Sequence, residues 1–142
     1  MDNDDINFPD VKTGTENTAK YKELTEAQWS PFLGKRYKDI FIFAMAYAYA
    51  TKLIPEKVSG EGNMPARVFD GPTRNLMRSL AVEHTNDLNI IKDSEAYVKI
   101  CEEYANAGFK ELYKIINEND LEKIHREDLL NSIIKNIISE QD

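Results

Sequence analysis

Residues 34–55 read GKRYKDIFIFAMAYAYATKLIP, a basic cluster running directly into eleven unbroken apolar or aromatic residues, Ile40 to Ala50. A bilayer crossing needs roughly 20 such residues, and Lys52 and Pro55 stop this run well short of that. Alanines alternate with Phe, Tyr and Met, as they do where helices pack closely. The stretch therefore predicts a central helix from about Arg36 to Thr51, buried on most of its circumference.

The chain has 142 residues, the size of one domain with a single core. Apolar residues make up 42% and charged residues 30%, and 25 acids against 18 bases leave a net charge of −7. That balance excludes generic polyanion binding by the whole surface. Cys101 is the only cysteine, so no intramolecular disulfide forms. The opening Met-Asp-Asn-Asp-Asp is the reverse of a secretion signal, which predicts a cytoplasmic protein with no membrane partner.

Outward from the central helix, residues 1–20 carry Asp2, Asp4, Asp5, Asp10 and Glu16 without apolar periodicity and read as a disordered acidic tail ahead of a helical domain over 21–142. Thr25-Glu26-Ala27-Gln28 has capping-box spacing and predicts a short helical turn that starts there. Residues 52–72, with three glycines and three prolines, form one long loop, within which Ala66 to Phe69 reads as a short extended piece. A helix follows from Pro72 to about Thr85, with Leu76, Met77, Leu80, Ala81 and His84 on its apolar stripe. Another begins behind Asp93 or Ser94 and runs past Gly108, which could bend or divide it. A last helix starts at Asp120 and presents Leu129, Ile133, Ile134, Ile137 and Ile138, a stripe that suits either a core or an oligomer seam. The fold class is all-α, a single-domain bundle of four to five helices with one long Gly/Pro-containing loop.

Charge is unevenly distributed. Between Lys35 and Arg78 eight bases face four acids, a net of +4, so the rest of the chain carries −11. This block joins the starts of two predicted helices, whose free N–H groups favour anions. Lys35, Arg36, Lys38, Arg67, Arg74 and Arg78 are the candidate binding residues. The competing reading is a set of solvated charges paired with neighbouring acids.

No catalytic constellation is specified. His84 and His125 lie far apart without a metal-binding motif, and no cofactor is called for. His84 on its apolar stripe reads as a core histidine and Cys101 as a small buried hydrophobe. Gly60-Glu61-Gly62 lacks the rest of a P-loop. Glu102-Glu103 reads as a solvated helix face. An enzyme would need a deep pocket at His84, Glu83 and Asp87.

The segments YKDIFIFAMAYAYATKLIP, RVFDGPTRNLMRSLAVEHTNDLNIIKD and ICEEYANAGFKELYKII, in that order, resemble small accessory proteins encoded beside DNA phosphorothioation (dnd-type) modification and restriction genes. The resemblance rests on Lys38, Asp39, Phe41, Phe43 and Ala44, and on Glu103, Tyr104, Ala105, Asn106, Ala107 and Gly108, over residues 35–116. It brings no catalytic residues. It implies a non-enzymatic accessory or adaptor of a DNA-modification or anti-phage defence system; the charge layout adds the expectation that the basic block touches a partner protein of a DNA-processing complex or the DNA backbone. The alternative is a self-associating homo-oligomer with the C-terminal Ile-rich helix as its interface.

Overall fold

The computed structural model describes residues 7–118. Four α-helices account for most of them: α1 Thr18–Glu26, α2 Tyr37–Ala50, α3 Gly71–Thr85 and α4 Ser94–Glu118. Short 3-10 turns lie at Thr15–Asn17, Ala66–Val68 and Leu88–Lys92. The protein is an all-α single domain. The isoleucine-rich stretch on which the last-helix and oligomer-seam expectations rest lies outside the described residues.

The quoted segment is the central helix. α2 buries Ile40, Phe41, Ala44, Met45, Ala48 and Ala50, and none of its residues is fully exposed. Its start is fixed by Asp39, whose Oδ2 accepts the Arg36 backbone N–H at 2.9 Å. Arginine has no acceptor to complete a reciprocal box, so only half of that motif is made. Its end is a left-handed residue, Lys52 at φ 60°, after which Leu53 N–H reaches back to the Ala48 carbonyl at 2.9 Å. Among the described residues no helix is long and apolar enough to cross a membrane.

α4 lies along α2 with almost no side-chain spacer between them. A Cβ placed on Gly108 would sit 1.9 Å from the Ala44 carbonyl oxygen and 3.1 Å from the Ala48 Cβ. Gly108 therefore neither bends nor divides α4; it lets two backbones meet. α3 also packs on α4 and α1 on α2, and Tyr21 of α1 stacks on Phe109 of α4 at 4.3 Å between ring centroids.

Several expectations need correction. Residues 7–20 are no mobile tail: Phe8, Val11, Thr13 and Asn17 are buried. Val11 pairs antiparallel with Met64, Ser94 Oγ donates to the Asn7 carbonyl, and Asn17 Nδ2 donates to Asn106 Oδ1 at 2.7 Å. This strap was missed because its apolar residues are single and aperiodic, and the bonds that hold it come from far along the chain. The extended piece of the loop is thus at Met64, while Ala66–Val68 is a 3-10 turn. Gly60, at φ 93°, lets the loop pass the strap, because a Cβ there would lie 2.2 Å from Thr15 Oγ1. Thr25 sits near the end of a helix rather than at a start, its hydroxyl donating to the Lys22 carbonyl. On α3 the buried stripe is Arg74, Met77, Leu80 and Ala81, with Leu76 and His84 exposed. His84 Nδ1 lies 2.9 Å from the Tyr104 hydroxyl.

Candidate functional site

The basic block comes together in part. α3 starts behind Asp70, whose Oδ1 accepts the Thr73 N–H at 3.0 Å, and Lys38 from the first turn of α2 reaches Asp70 Oδ2 at 4.0 Å. The N-termini of α2 and α3 thus share one end of the molecule. Hydrogen bonds from Thr73, then the charges of Lys38 and Arg36, hold the Asp70 carboxyl below its ordinary range. Burial works against ionisation of Asp39, but hydrogen bonds and charge from Arg36 and the charge of Lys38 outweigh it, and that carboxyl is also lowered.

The six candidate residues differ in what they can do. Lys35 and Arg67 are exposed and make no ion pair among the described residues. Arg36 is exposed and forks onto Asp39, Nε to Oδ2 at 3.3 Å and Nη2 to Oδ1 at 3.4 Å. The Lys38 side chain is only 11% exposed, so its ammonium reaches the surface along a covered stem. Arg78 bonds Asn75 and lies over the Tyr97 ring. Arg74 is different in kind. It is 8% exposed, donates from Nε to the Phe69 carbonyl at 2.7 Å and from Nη2 to the Ala66 carbonyl at 3.0 Å, and stacks on Phe8 with 3.9 Å from Cζ to the ring centroid. Arg74 braces the loop from inside, and the expectation that it offers a surface contact is corrected.

A second place escaped the sequence reading. On the side of α4 facing the strap, a cleft of about 520 Å³ is lined by Pro9, Val58 and Val98, by Lys12, Lys57 and Lys99, and by the acids Asp10, Glu95, Glu102 and Glu103. Glu102 is not on a solvated face; the residue is 6% exposed. Its Oε2 accepts the Lys12 backbone N–H at 2.7 Å, and among the described residues Oε1 accepts no hydrogen bond. Burial pushes the Glu102 carboxyl up to about 7, against the lowering effect of the Lys12 N–H and charge. The signal was present: Glu102 stands four residues after Val98 and three before Ala105, on the stripe that α4 buries.

A carboxyl raised from 4.5 to about 7 binds its proton more tightly folded than unfolded, so its contribution to stability is greatest at low pH and is lost as pH rises through that window. By the usual conversion the loss amounts to about 3 kcal/mol at most. Glu102→Gln keeps an acceptor for Lys12 N–H and carries no charge. Urea melts at a series of pH values should show the variant gaining on wild type between pH 4.5 and about 8; a constant difference would mean that the carboxylate is freely solvated.

Residues 11–142 match the family described as DNA sulphur modification system-associated protein 4. The chain belongs to that family. Its members are associated with DNA sulphur modification systems, which makes this chain an accessory of such a system. The match reaches beyond residues 35–116 and takes in the strap from Val11 onward. Neither a curated protein nor a solved structure matches the chain.

The positions that carried the resemblance have structural work in common. Asp39 starts α2, Phe41 packs edge-on against Phe69 at 5.9 Å, and Ala44 is the residue whose carbonyl meets Gly108. Asn106 Nδ2 donates to the Lys57 carbonyl at 2.8 Å while its Oδ1 receives Asn17. In this chain these positions close the bundle around the loop and strap. Among the described residues no group of His, Cys, Asp and Glu side chains is arranged to hold a metal ion. Cys101 is buried, its Sγ donating to the Met77 carbonyl, and burial pushes the thiol upward, away from reactivity.

Proposed function

We propose that the protein is a non-enzymatic adaptor of a cytoplasmic DNA sulphur modification or defence complex, engaging an anionic partner through the end where α2 and α3 begin. The contact residues are Lys35, Arg36, Lys38, Arg67 and Arg78, with Arg74 behind them as the brace that sets the loop. The observation that carries this reading is the Lys38–Asp70 approach, which puts two helix N-termini on one face beside the exposed Lys35. Aligned peptide dipoles and unpaired N–H groups at helix starts add to the attraction for phosphate or carboxylate. DNA phosphate is the first partner to test, and an acidic face of another component of the complex is the second.

Lys35→Glu/Arg67→Glu is the informative variant, because neither residue supports the fold through an ion pair among the described residues. Binding of wild type to a short duplex should weaken steeply with salt, and the variant should bind about tenfold or more weaker with a salt slope reduced by about two. If wild type binds no duplex at low salt, pull-down of the modification components with both proteins takes over. Equal recovery by wild type and variant would remove the basic face from the function.

A further inference from the structure

A groove opens where α2 finishes, at the other end of that helix from the basic face and sharing no residue with it. Leu53, Ile54 and Ala107 give it apolar walls, and Lys52, Glu56, Lys110, Glu111 and Lys114 rim it, around a volume of about 560 Å³. Ala107, Lys110, Glu111 and Lys114 stand at i, i+3, i+4 and i+7, so one face of α4 forms a whole side of the groove. Beside it Ile54 is 83% exposed, the most exposed large hydrophobic residue among those described. An apolar groove with a charged rim is the form that a docking surface takes.

The chain itself supplies an occupant. α4 is described as far as Glu118, one turn beyond Lys114 at the groove's edge. Further on, Leu130, Ile133, Ile134, Ile137 and Ile138 stand at i, i+3, i+4, i+7 and i+8, an apolar stripe that a helix buries. As a helix, residues 121–138 measure about 27 Å, against about 10 Å for the α4 side of the groove from Ala107 to Lys114. The family match runs through residue 142, so this stretch belongs to the same unit as the groove. Charge agrees: three lysines and two acids leave the rim at +1, whereas residues 119–142, with six acids and three bases, carry −3. We propose that residues 121–138 turn back after Asn119-Asp120, run antiparallel to α4 as a fifth helix, and seat their isoleucine stripe against Leu53, Ile54 and Ala107. Tethering holds the two surfaces at an effective concentration on the order of millimolar, which favours this occupant over the same stripe of a second copy. Lys110 is already bonded to Glu16 at 3.3 Å and Glu56 at 3.1 Å, so Lys52 and Lys114 are the rim charges that meet Glu122, Glu127 and Asp128.

Hydrogen exchange of the full chain, read by mass spectrometry, tests the seating. Peptides from residues 121–138 should exchange about tenfold or more slower than an unprotected chain, and Ile54→Asp should speed them by about tenfold or more while α2 peptides stay unchanged. Leu88→Asp, at a residue 73% exposed on the turn between α3 and α4, is the control and should move nothing. Disulfide trapping reads the geometry, since only Cα atoms within about 7 Å can be bridged. Ile54→Cys combined in turn with Leu130→Cys, Ile133→Cys and Ile134→Cys should give a bond within one chain in at least one of the three, with the buried Cys101 taking no part. Bonds that join two chains, together with a dimer in sedimentation, would hand the groove to a second copy and overturn the proposal. No bond from any pair, unprotected exchange over residues 121–138 in wild type, or exchange there unmoved by Ile54→Asp would overturn it as well.

Discussion

Gly108→Ala should lower stability by about 3 kcal/mol or more, a large share of the roughly 5–15 kcal/mol that holds an ordinary domain folded. The added methyl would sit 1.9 Å from the Ala44 carbonyl oxygen and 2.7 Å from its carbon, so a helix backbone rather than a flexible side chain must move. Separating α2 from α4 also opens the packing around Ala44, Ala48 and Phe109, all buried. Gly71→Ala is the matched control, because nothing lies within 4 Å of a Cβ there; it should stay within about 0.5 kcal/mol of wild type. Thermal melts followed by circular dichroism report both. Equal melting temperatures for the two variants would show that the helices stand further apart than the structure has them.

Arg74→Met should cost about 3 kcal/mol and loosen the loop that Arg74 holds. A buried ion can sometimes be exchanged for a hydrophobe of similar size without loss, but only when its partners are exchanged too. Here the partners include the Phe69 and Ala66 carbonyls, which methionine leaves without these donors, and the stacking on Phe8 is lost with them. Arg74→Lys should recover only part of the loss, since an ammonium cannot reproduce a planar fork that spans two carbonyls and an aromatic face. Limited proteolysis should find new cuts near residues 60–70 in the methionine variant. Unchanged resistance with an unchanged melt would return Arg74 to the surface. Until that is known, weakened partner binding by an Arg74 variant is no evidence of a direct contact.

What the sequence discloses depends on how local the cause is. α2 was legible because an apolar run bounded by Lys52 and Pro55 has one reasonable outcome, and α3 and α4 because Pro72 and Asp93 mark their starts. Asp93 Oδ1 does accept the Ala96 N–H. The strap was not legible: Phe8 and Val11 are isolated apolar residues, and their burial depends on Phe69, Tyr97 and Met64, dozens of residues away. Charge counting placed Arg74 with its neighbours because a tally treats every arginine as solvated. Only the folded loop reveals two carbonyls aimed at it. Glu102 was overlooked for the opposite reason, since its position on the α4 stripe pointed inward while its charge pointed outward. Lys35, Arg36, Lys38 and Arg67 were found by counting, which suffices for exposed groups.

The strap also has a consequence in time. Its fixing bonds join Lys12 to Glu102 and Asn17 to Asn106, pairs separated by 90 and 89 residues. At about 5–20 residues per second, a ribosome takes on the order of 5–20 s to make the second partner after the first. During that interval Phe8, Val11 and Tyr21 have been synthesised without α4 to cover them. The strap leaves the ribosome well before the helix that locks it, so the nascent chain is most exposed to aggregation just before α4 is complete.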